Sequence, residues 1–518
     1  MDDHGVTTSV RAPRSSVWKA IIGLTLVGGI ALRVWVYRST LGVPDSDEAI
    51  VGLMARHVLD GELTTFFWGQ GFGGSQEALL TAPVFALAGS DWLTLRLVPI
   101  VLSGLAALVV WRVGRRTVGE PAATIAGCAL WLFPPFLVYK LTHQQGFYGS
   151  GVLYTALLML LVLLLVERPS RGRTALFGLV AGLALWQSAQ LVPIVAATAA
   201  WGVWQRPSLL RNLPLAGAAA LVGALPAIVW NLQHDWGSLD SPIENTTSYQ
   251  HRLRIFVSPL LPMLLGLRTP FTQEPLLSGV LVLLVLAVLA GLFLYGASRT
   301  RRRPASLLYA VAASFPILYA LAPQTLFSQE PRYLLVLSPV VVLLLAQLGT
   351  SYLRGIALLI CLLGVSIVTV ERMETYASTV PSRPPVAPRD LEPLVATLDR
   401  AGIDRVYADF WLSYRLTFET DERIVAAQSK LERVGLVGGR AIAARHPSIR
   451  HRPYERAVEA SRHAFVFFSS SLETGADRTP GPDADARVDQ LRTFVSKLEG
   501  YGYRRVAVEP FVVYLPPP

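Results

Sequence analysis

Long apolar runs recur between residues 17 and 371, interrupted by loops of unequal length and charge, and they leave the chain few ways to fold. A run of about 18 or more apolar residues can cross a hydrocarbon core of about 30 Å. Inside that core each backbone N–H and C=O must find its partner within the chain, so runs of this length become helices. The spans read as roughly 17–37, 93–111, 121–139, 148–166, 174–187, 191–204, 213–232, 276–297, 305–323, 333–349 and 355–370, about eleven transmembrane helices in all. The fifth and sixth are short. They form either a tight pair meeting at Gln187-Ser188-Ala189-Gln190 or one broken helix. Composition agrees, with 52% of residues hydrophobic and only 16% charged, where soluble domains carry about 25% charged residues. No A-x-A cleavage pattern follows the first run, so Val17–Tyr37 reads as a retained span. Cys128 and Cys361 both fall inside predicted spans and read as small apolar residues, not as a disulfide or metal framework.

Charge sets the expected orientation. Of the 25 Lys and Arg in residues 1–371, sixteen fall on one side, in short loops such as Arg112–Arg116, Arg168–Arg173 and Arg299–Arg303. The positive-inside rule puts those loops and the N-terminus in the cytoplasm. An odd number of spans then carries the C-terminal part outside, in the multi-pass topology of a cell-membrane protein. The net charge of +10 mostly reflects this loop bias. Without aromatic-interleaved basic patches it points to anionic membrane lipids, and not to nucleic acid.

The loops expected on the outer face are long and chemically crowded. The first runs from about Arg38 to Trp92 and opens with Pro44-Asp45-Ser46-Asp47-Glu48, three carboxylates within four residues. Carboxylates beside lipid are costly and imply a task. They also suit the start of a helix over Ala49–Leu59, where Ser46, Asp47 or Glu48 would cap exposed N–H groups, and a capping carboxylate can also act as a base. The glycines of Gly69–Gly74 allow either a plain loop or a close backbone approach to a ligand. Glu77 begins an apolar run that reads as a helix lying in the interface, and Arg96 either pairs with a carboxylate or snorkels. Further polar groups come from Tyr139–Tyr148, with Lys140 and His143, from Asn231–Arg268, with Arg252 and Arg254, and from Ser328–Tyr333, with Arg332. A lone histidine such as His143 is usually only a polar loop residue, and Asn245-Thr246-Thr247 matches the glycosylation pattern as often happens by chance. Acids and cations thus collect at one face while the span interiors stay almost free of charge. That suits chemistry on a charged lipid at the outer interface better than a pump, which needs ionisable groups mid-span.

At these residues the sequence resembles the GT-C fold of polyprenyl-phosphate-sugar-dependent glycosyltransferases. The likeness is to glycosyltransferase family 39, the protein O-mannosyltransferases, and to the aminoarabinose transferases that modify lipid A. It covers residues 17–371 and rests on Asp47-Glu48 after the first span, Arg96-Leu97 opening the second, and Arg332-Tyr333-Leu334-Leu335 with Pro339 near the end of the bundle. The stretch Gly69-Gln70-Gly71-Phe72-Gly73-Gly74-Ser75-Gln76-Glu77-Ala78 is similar to one bacterial subgroup with one residue more, and Gly146-Phe147-Tyr148 stands where relatives have Gly-x-Tyr. Relatives often carry a second acid in the second outer loop. Residues 140–147 have none, so either Glu77 substitutes or the site works differently.

The resemblance implies transfer of a sugar from a polyprenyl phosphate to a hydroxyl on an unknown glycan, lipid or protein acceptor, usually with inversion. A carboxylate must take the hydroxyl proton and cations must hold the departing phosphate. Asp47 is the expected base, with Glu48 and Asp45 in reserve. Arg332 is the expected phosphate ligand, because a guanidinium meets phosphate oxygens in a fork. Gln70, Glu77, Lys140, His143, Tyr148, Arg252 and Tyr333 are further expected substrate contacts. No metal site or other cofactor is predicted, and a divalent cation beside Asp47 and Glu48 is left open. The rival readings are a flippase or exporter of lipid-linked sugars, which needs no base, and a non-catalytic envelope scaffold.

After the last span, the Pro-rich stretch Ser382–Pro388 reads as a linker, and residues 390–518 read as an extracytoplasmic α/β domain separate from the helical domain 1–371. Helices are expected over Leu391–Arg400 and Ala486–Leu498. Strands are expected at Arg405–Ala408, Ile424–Ala427, Ala464–Phe468, Arg505–Val508 and Phe511–Leu515. Trp411 follows a strand and serves either a sugar or the core.

Overall fold

The computed structural model describes residues 15–239, 247–322, 328–349, 351–379, 387–428, 434–437, 440–443, 450–474 and 484–518. Asn245, Thr246 and most of the Pro-rich stretch lie outside them. Helix α1 (Ser15–Arg38) leads into an excursion holding α2 (Ser46–Leu59) and α3 (Gln76–Ala88). Then α4 (Trp92–Thr117) returns along the bundle, and α5 (Ala122–Leu132) and α6 (Pro135–Lys140) share one path broken at Pro134, which has no N–H to continue the ladder. Next come α7 (Tyr148–Glu167), α8 (Arg171–Gln187), α9 (Val192–Gln205), α10 (Leu213–Gly223) and α11 (Leu225–Gln233). The short α12 (Tyr249–Ile255) and α13 (Leu261–Leu264) precede α14 (Gly279–Arg299), α15 (Ser306–Leu321), α16 (Ser338–Ala346) and α17 (Tyr352–Thr379).

Every expected span meets a helix or a helix pair, but the elements are more broken than eleven full crossings. Among the described residues, six stretches are long and apolar enough to cross a bilayer, and Pro207–Gly223 with Leu225–Gln233, bent by 65°, makes a seventh if taken as one span. The others stop short for local reasons: Pro134 divides α5 from α6, and Ser188 ends α8 in extended backbone. α1 carries one cation into the bundle. Arg33 donates to the Gly29 and Trp131 carbonyls, each at 3.0 Å, with its guanidinium carbon 3.9 Å from the Trp131 ring centre.

The bundle has two unlike ends. At one, the basic loops meet: Arg116 pairs with Glu167 at 3.3 Å, Arg206 donates to the Val166 carbonyl at 2.8 Å, and Gln205 reaches the Arg301 carbonyl at 3.5 Å. The other end gathers the first and second long loops, the C-terminal end of α8 and the Glu330–Arg332 segment.

The C-terminal part follows the expected alternation closely. Its elements are α18 (Glu392–Arg400), β1 (Arg405–Ala408), α19 (Phe410–Glu419), β2 (Val425–Gln428), β3 (Val434–Val437), β4 (Arg440–Ala443), α20 (Arg452–Glu459), β5 (Ala464–Phe468), α21 (Ser469–Thr474), α22 (Ala484–Gly500), β6 (Arg504–Val508) and β7 (Phe511–Leu515). The strands β2-β1-β5-β7-β6 form one sheet, parallel across its first three members and antiparallel across the rest. Leu394, Leu398, Val406, Leu412, Val466 and Val513 fill a core of its own.

A second apolar cluster joins this part to the first long loop. Ala49, Ile50, Leu53 and Met54 of α2 pack with Phe67 and Trp68 against Phe410, Tyr414 and Phe418 of α19. The helices approach so closely that a Cβ added at Gly52 would lie 2.5 Å from the Phe418 ring. Trp411 packs against the same cluster, on the core side of the two uses expected for it. Polar contacts ring the seam: Arg56–Asp421 at 2.8 Å, His57 Nε2 with Glu422 at 3.1 Å, and Tyr454 donating to Glu422 at 2.8 Å. Trp68 stacks on His451 with ring centres 3.9 Å apart.

The hydrogen bond to Glu422 raises the His57 imidazole; burial opposes this, Glu62 adds to it, and the result is about 8 against an ordinary 6.5. A shift of that size corresponds to about 2 kcal/mol. The stabilisation is present in full below pH 6.5 and is lost as pH rises through about 8. Thermal unfolding of the detergent-solubilised protein should therefore weaken between pH 6.5 and 8.5, and His57→Gln should flatten that slope. A wild-type melting temperature flat over this interval would separate His57 from docking.

Candidate active site

The site is built around the N-terminus of α2. Asp45, not one of the three residues after it, is the N-cap: its Oδ1 accepts from the Glu48 N–H at 2.9 Å. Glu48 points inward and is fully buried. Arg96 of α4 meets it as a fork, Nε on Oε1 and Nη2 on Oε2, each at 2.6 Å, and Arg96 Nη1 reaches the Gly42 carbonyl at 3.0 Å. Of the two readings of Arg96, it pairs. Burial pushes the Glu48 carboxyl up, but the Arg96 guanidinium overrides this and holds it below its ordinary range.

The second outer loop closes over this pair. Gln144 N–H donates to Glu48 Oε1 at 3.0 Å. Gln145 bridges the acid and a cation, donating to Asp45 Oδ2 at 3.2 Å and accepting from Lys140 Nζ at 2.7 Å. Lys140 is buried, with its ammonium 5.6–5.7 Å from the ring centres of Phe136, Tyr139 and Tyr148. Burial lowers its pKa and Glu330 resists the change. Glu330 Oε2 lies 4.0 Å from Lys140 Nζ, and Glu330 Oε1 pairs with Arg332. The line Asp45–Gln145–Lys140–Glu330–Arg332 therefore runs across the end of the bundle.

Asp47 faces this line from α2. It is half-buried and makes no hydrogen bond or ion pair among the described residues, yet its charge acts on Lys140, Tyr148 and Arg332. Burial, then repulsion by Asp47 and Glu48, lifts the Asp45 carboxyl to about 7. Tyr333 stands beside Arg332, half-buried, and Tyr148 is buried at the start of α7.

Other expected contacts have different surroundings. His143 is buried and neutral, its pKa held near 4 by burial and by Arg96, so it offers no positive charge to a phosphate. Its Nδ1 lies 3.0 Å from the Tyr139 carbonyl, which can only accept, so Nδ1 carries the proton. Glu77 is buried and accepts from the Ser150 N–H at 2.8 Å and hydroxyl at 2.6 Å, which makes it an anchor for the first turn of α7. Gln70 is half-buried and its N–H returns to the Phe67 carbonyl at 3.2 Å. Arg252 lies on α12 and donates to the Ala320 carbonyl at 2.7 Å and to the Thr247 carbonyl; no described contact joins it to the Asp47 group. The Gly69–Gly74 stretch does make a close approach, but to protein: Gly74 N–H donates to the Gln187 carbonyl at 2.9 Å, and a Cβ there would meet Gln187 Oε1 at 2.7 Å. Among the described residues, no group of three or more His, Cys, Asp or Glu side chains could hold a metal ion.

Glu330 and Gln145 belong to the site and escaped the sequence reading. An acid two residues before Arg332, at the mouth of a span, was the available signal for Glu330. Gln145 carried none, because an amide gains meaning only from the two charges it joins.

The first long loop, the second loop and the Glu330–Arg332 segment thus converge on one end of a membrane bundle with an attached α/β part. A family model described as dolichyl-phosphate-mannose-protein mannosyltransferase matches residues 77–230. The crystal structure of ArnT from Cupriavidus metallidurans in the apo state is similar over 96% of this chain and 98% of that one, at 14% identity and a TM-score of 0.59. The same protein bound to undecaprenyl phosphate matches over 97% and 98%, at 15% identity and 0.57. The archaeal oligosaccharyltransferase AglB from Archaeoglobus fulgidus aligns over 97% of this chain and 74% of its own, at 13% identity and 0.48. No curated protein matches in sequence. The chain is a multi-pass membrane protein with the GT-C fold, similar to glycosyltransferase family 39.

If the Glu48–Arg96 pair holds this end together, Glu48→Gln strands a buried guanidinium and costs about 3–5 kcal/mol. Thermal unfolding should show a large drop, and adding Arg96→Met should recover part of it. A Glu48→Gln protein melting with the wild type would remove the pair from that role.

Proposed function

We propose that the chain is a membrane glycosyltransferase that moves a sugar from a polyprenyl-phosphate carrier to an acceptor hydroxyl on the outer face of the membrane. The observation that carries this reading is Asp47, a half-buried carboxylate without a partner among the described residues, facing Lys140 and Arg332. The family model supports the reaction class. The like-folded ArnT, crystallised with undecaprenyl phosphate, supports the carrier.

In this reading the acceptor hydroxyl binds beside Asp47. As its oxygen bonds to the anomeric carbon, its proton passes to the Asp47 carboxylate. The carbon–oxygen bond to the phosphate breaks, and the polyprenyl phosphate leaves with the electron pair. Arg332 and Lys140 hold the charge that grows on the departing oxygens, in a site already arranged for it. A single displacement of this kind inverts the anomeric centre. Glu48 and Glu77 act as anchors, because their carboxylates already accept from Arg96 and Gln144 and from Ser150.

Asp47→Asn should slow transfer by about 100-fold or more, the range of a positioned proton transfer. Donor affinity and melting temperature should barely move, since Asp45 remains the cap. Arg332→Ala should instead weaken donor binding, with Arg332→Lys recovering only part of it. The assay is release of polyprenyl phosphate from a labelled polyprenyl-phosphate sugar mixed with envelope extract. Turnover in Asp47→Asn within a few-fold of wild type would eliminate the base, and lipid movement without release would favour a flippase.

The outward orientation rests on the charge of the loops at the far end. A phosphatase fused at the C-terminus should be active and one placed at Arg302 silent. The reverse pattern would turn the site to the cytoplasm.

A further inference from the structure

Lys140 and Arg332 suit a phosphate, but an anion already lies between them. Glu330 is 4% exposed; its Oε1 pairs with Arg332 while its Oε2 lies 4.0 Å from Lys140 Nζ. The Arg332 side chain is 28% exposed and that of Glu330 only 5%, so the arginine is the more open member of the pair. Glu330 is two residues from Arg332 along the chain, and Pro331 between them, at φ −86°, restricts how far the carboxylate can withdraw.

We propose that Glu330 is a resident stand-in for phosphate: it neutralises the cation pair while the site is empty, yields to the incoming head group, and returns to expel the phosphate product. This rests on the reading that Lys140 and Arg332 receive a lipid phosphate. Without Glu330, Lys140 and Arg332 would bind the leaving polyprenyl phosphate about as firmly as the donor, and turnover would stall on release. A carboxylate tethered beside them competes with both at a fixed local concentration. It lowers affinity for every phosphate head group alike and so favours clearance. Glu330 is a positioning residue here, acting through Lys140 and Arg332.

The test compares wild type and Glu330→Gln, in lipid nanodiscs, for binding of polyprenyl phosphate and of inorganic phosphate. The variant should bind both more tightly, by about tenfold or more, because competition at the head group is indifferent to the tail. Its transfer reaction should show one fast turnover and then a slow phase limited by release. In an Arg332→Ala background the gain should vanish. Equal or weaker binding by a variant with wild-type melting temperature would overturn the proposal, as would a gain confined to the lipid. Should Glu330→Gln fail to fold, Glu330→Asp, retracted by one methylene, must still give a smaller gain, and its absence would be equally decisive. If wild type itself binds no polyprenyl phosphate, the phosphate-site reading fails and the proposal for Glu330 falls with it.

Discussion

The fork between Arg96 and Glu48 is the constraint on which the rest of this end of the molecule depends. It ties the first turn of α2 to the first turns of α4, and through Glu48 Oε1 it also holds the Gln144 N–H of the second loop. A buried ion pair is a poor source of net stability, because removing two charges from water costs nearly what their attraction returns. Its value here is registration. A carboxylate that must meet one guanidinium in one geometry leaves α2 a single rotational setting, and that setting turns Asp47 toward Lys140 and Arg332.

From that fixed point the charges of the site follow an order. Acid and cation alternate from Asp45 through Gln145 to Lys140, Glu330 and Arg332, so each cation of the line has an acceptor oxygen beside it. In surroundings of low polarity such a line is rigid, since moving one member leaves its neighbour unsatisfied. Such rigidity suits the transfer proposed above, because donors that are already aimed need not reorganise as charge moves. Asp47 stands outside the line, with its carboxylate uncommitted among the described residues.

Much of this was legible in the chain, and the limits have physical reasons. The spans were visible because lipid demands long apolar runs. Several C-terminal strands fell within a residue of their expected bounds because β-branched and aromatic runs mark them plainly, as at Ala464–Phe468. Asp47, Lys140, Tyr148 and Arg332 could be picked out as polar residues at span ends, and the structure brings them together. Whether Arg96 pairs or snorkels is undecidable locally, since its partner is 48 residues away. Gly69–Gly74 left a plain loop or an approach to a ligand open, and the close neighbour is instead Gln187 of the chain itself, which nothing in the stretch names. Proline breaks such as Pro134 shortened helices that hydropathy alone reads as full crossings. The packing of α2 on α19 was invisible, because nothing in α2 names a surface so distant in sequence.

That distance has a consequence for how the molecule is made. The Arg56–Asp421 contact closes a separation of 365 residues. At a synthesis rate of about 5–20 residues per second, roughly 20–70 s pass between the emergence of α2 and that of the surface it packs against. During that interval Phe67, Trp68 and the apolar flank of α2 wait beside a partly assembled bundle. The carboxylates of α2 are therefore among the first parts translated and the surface that seats their helix among the last, and a ribosome that stops before α19 releases a chain holding the acids without that surface.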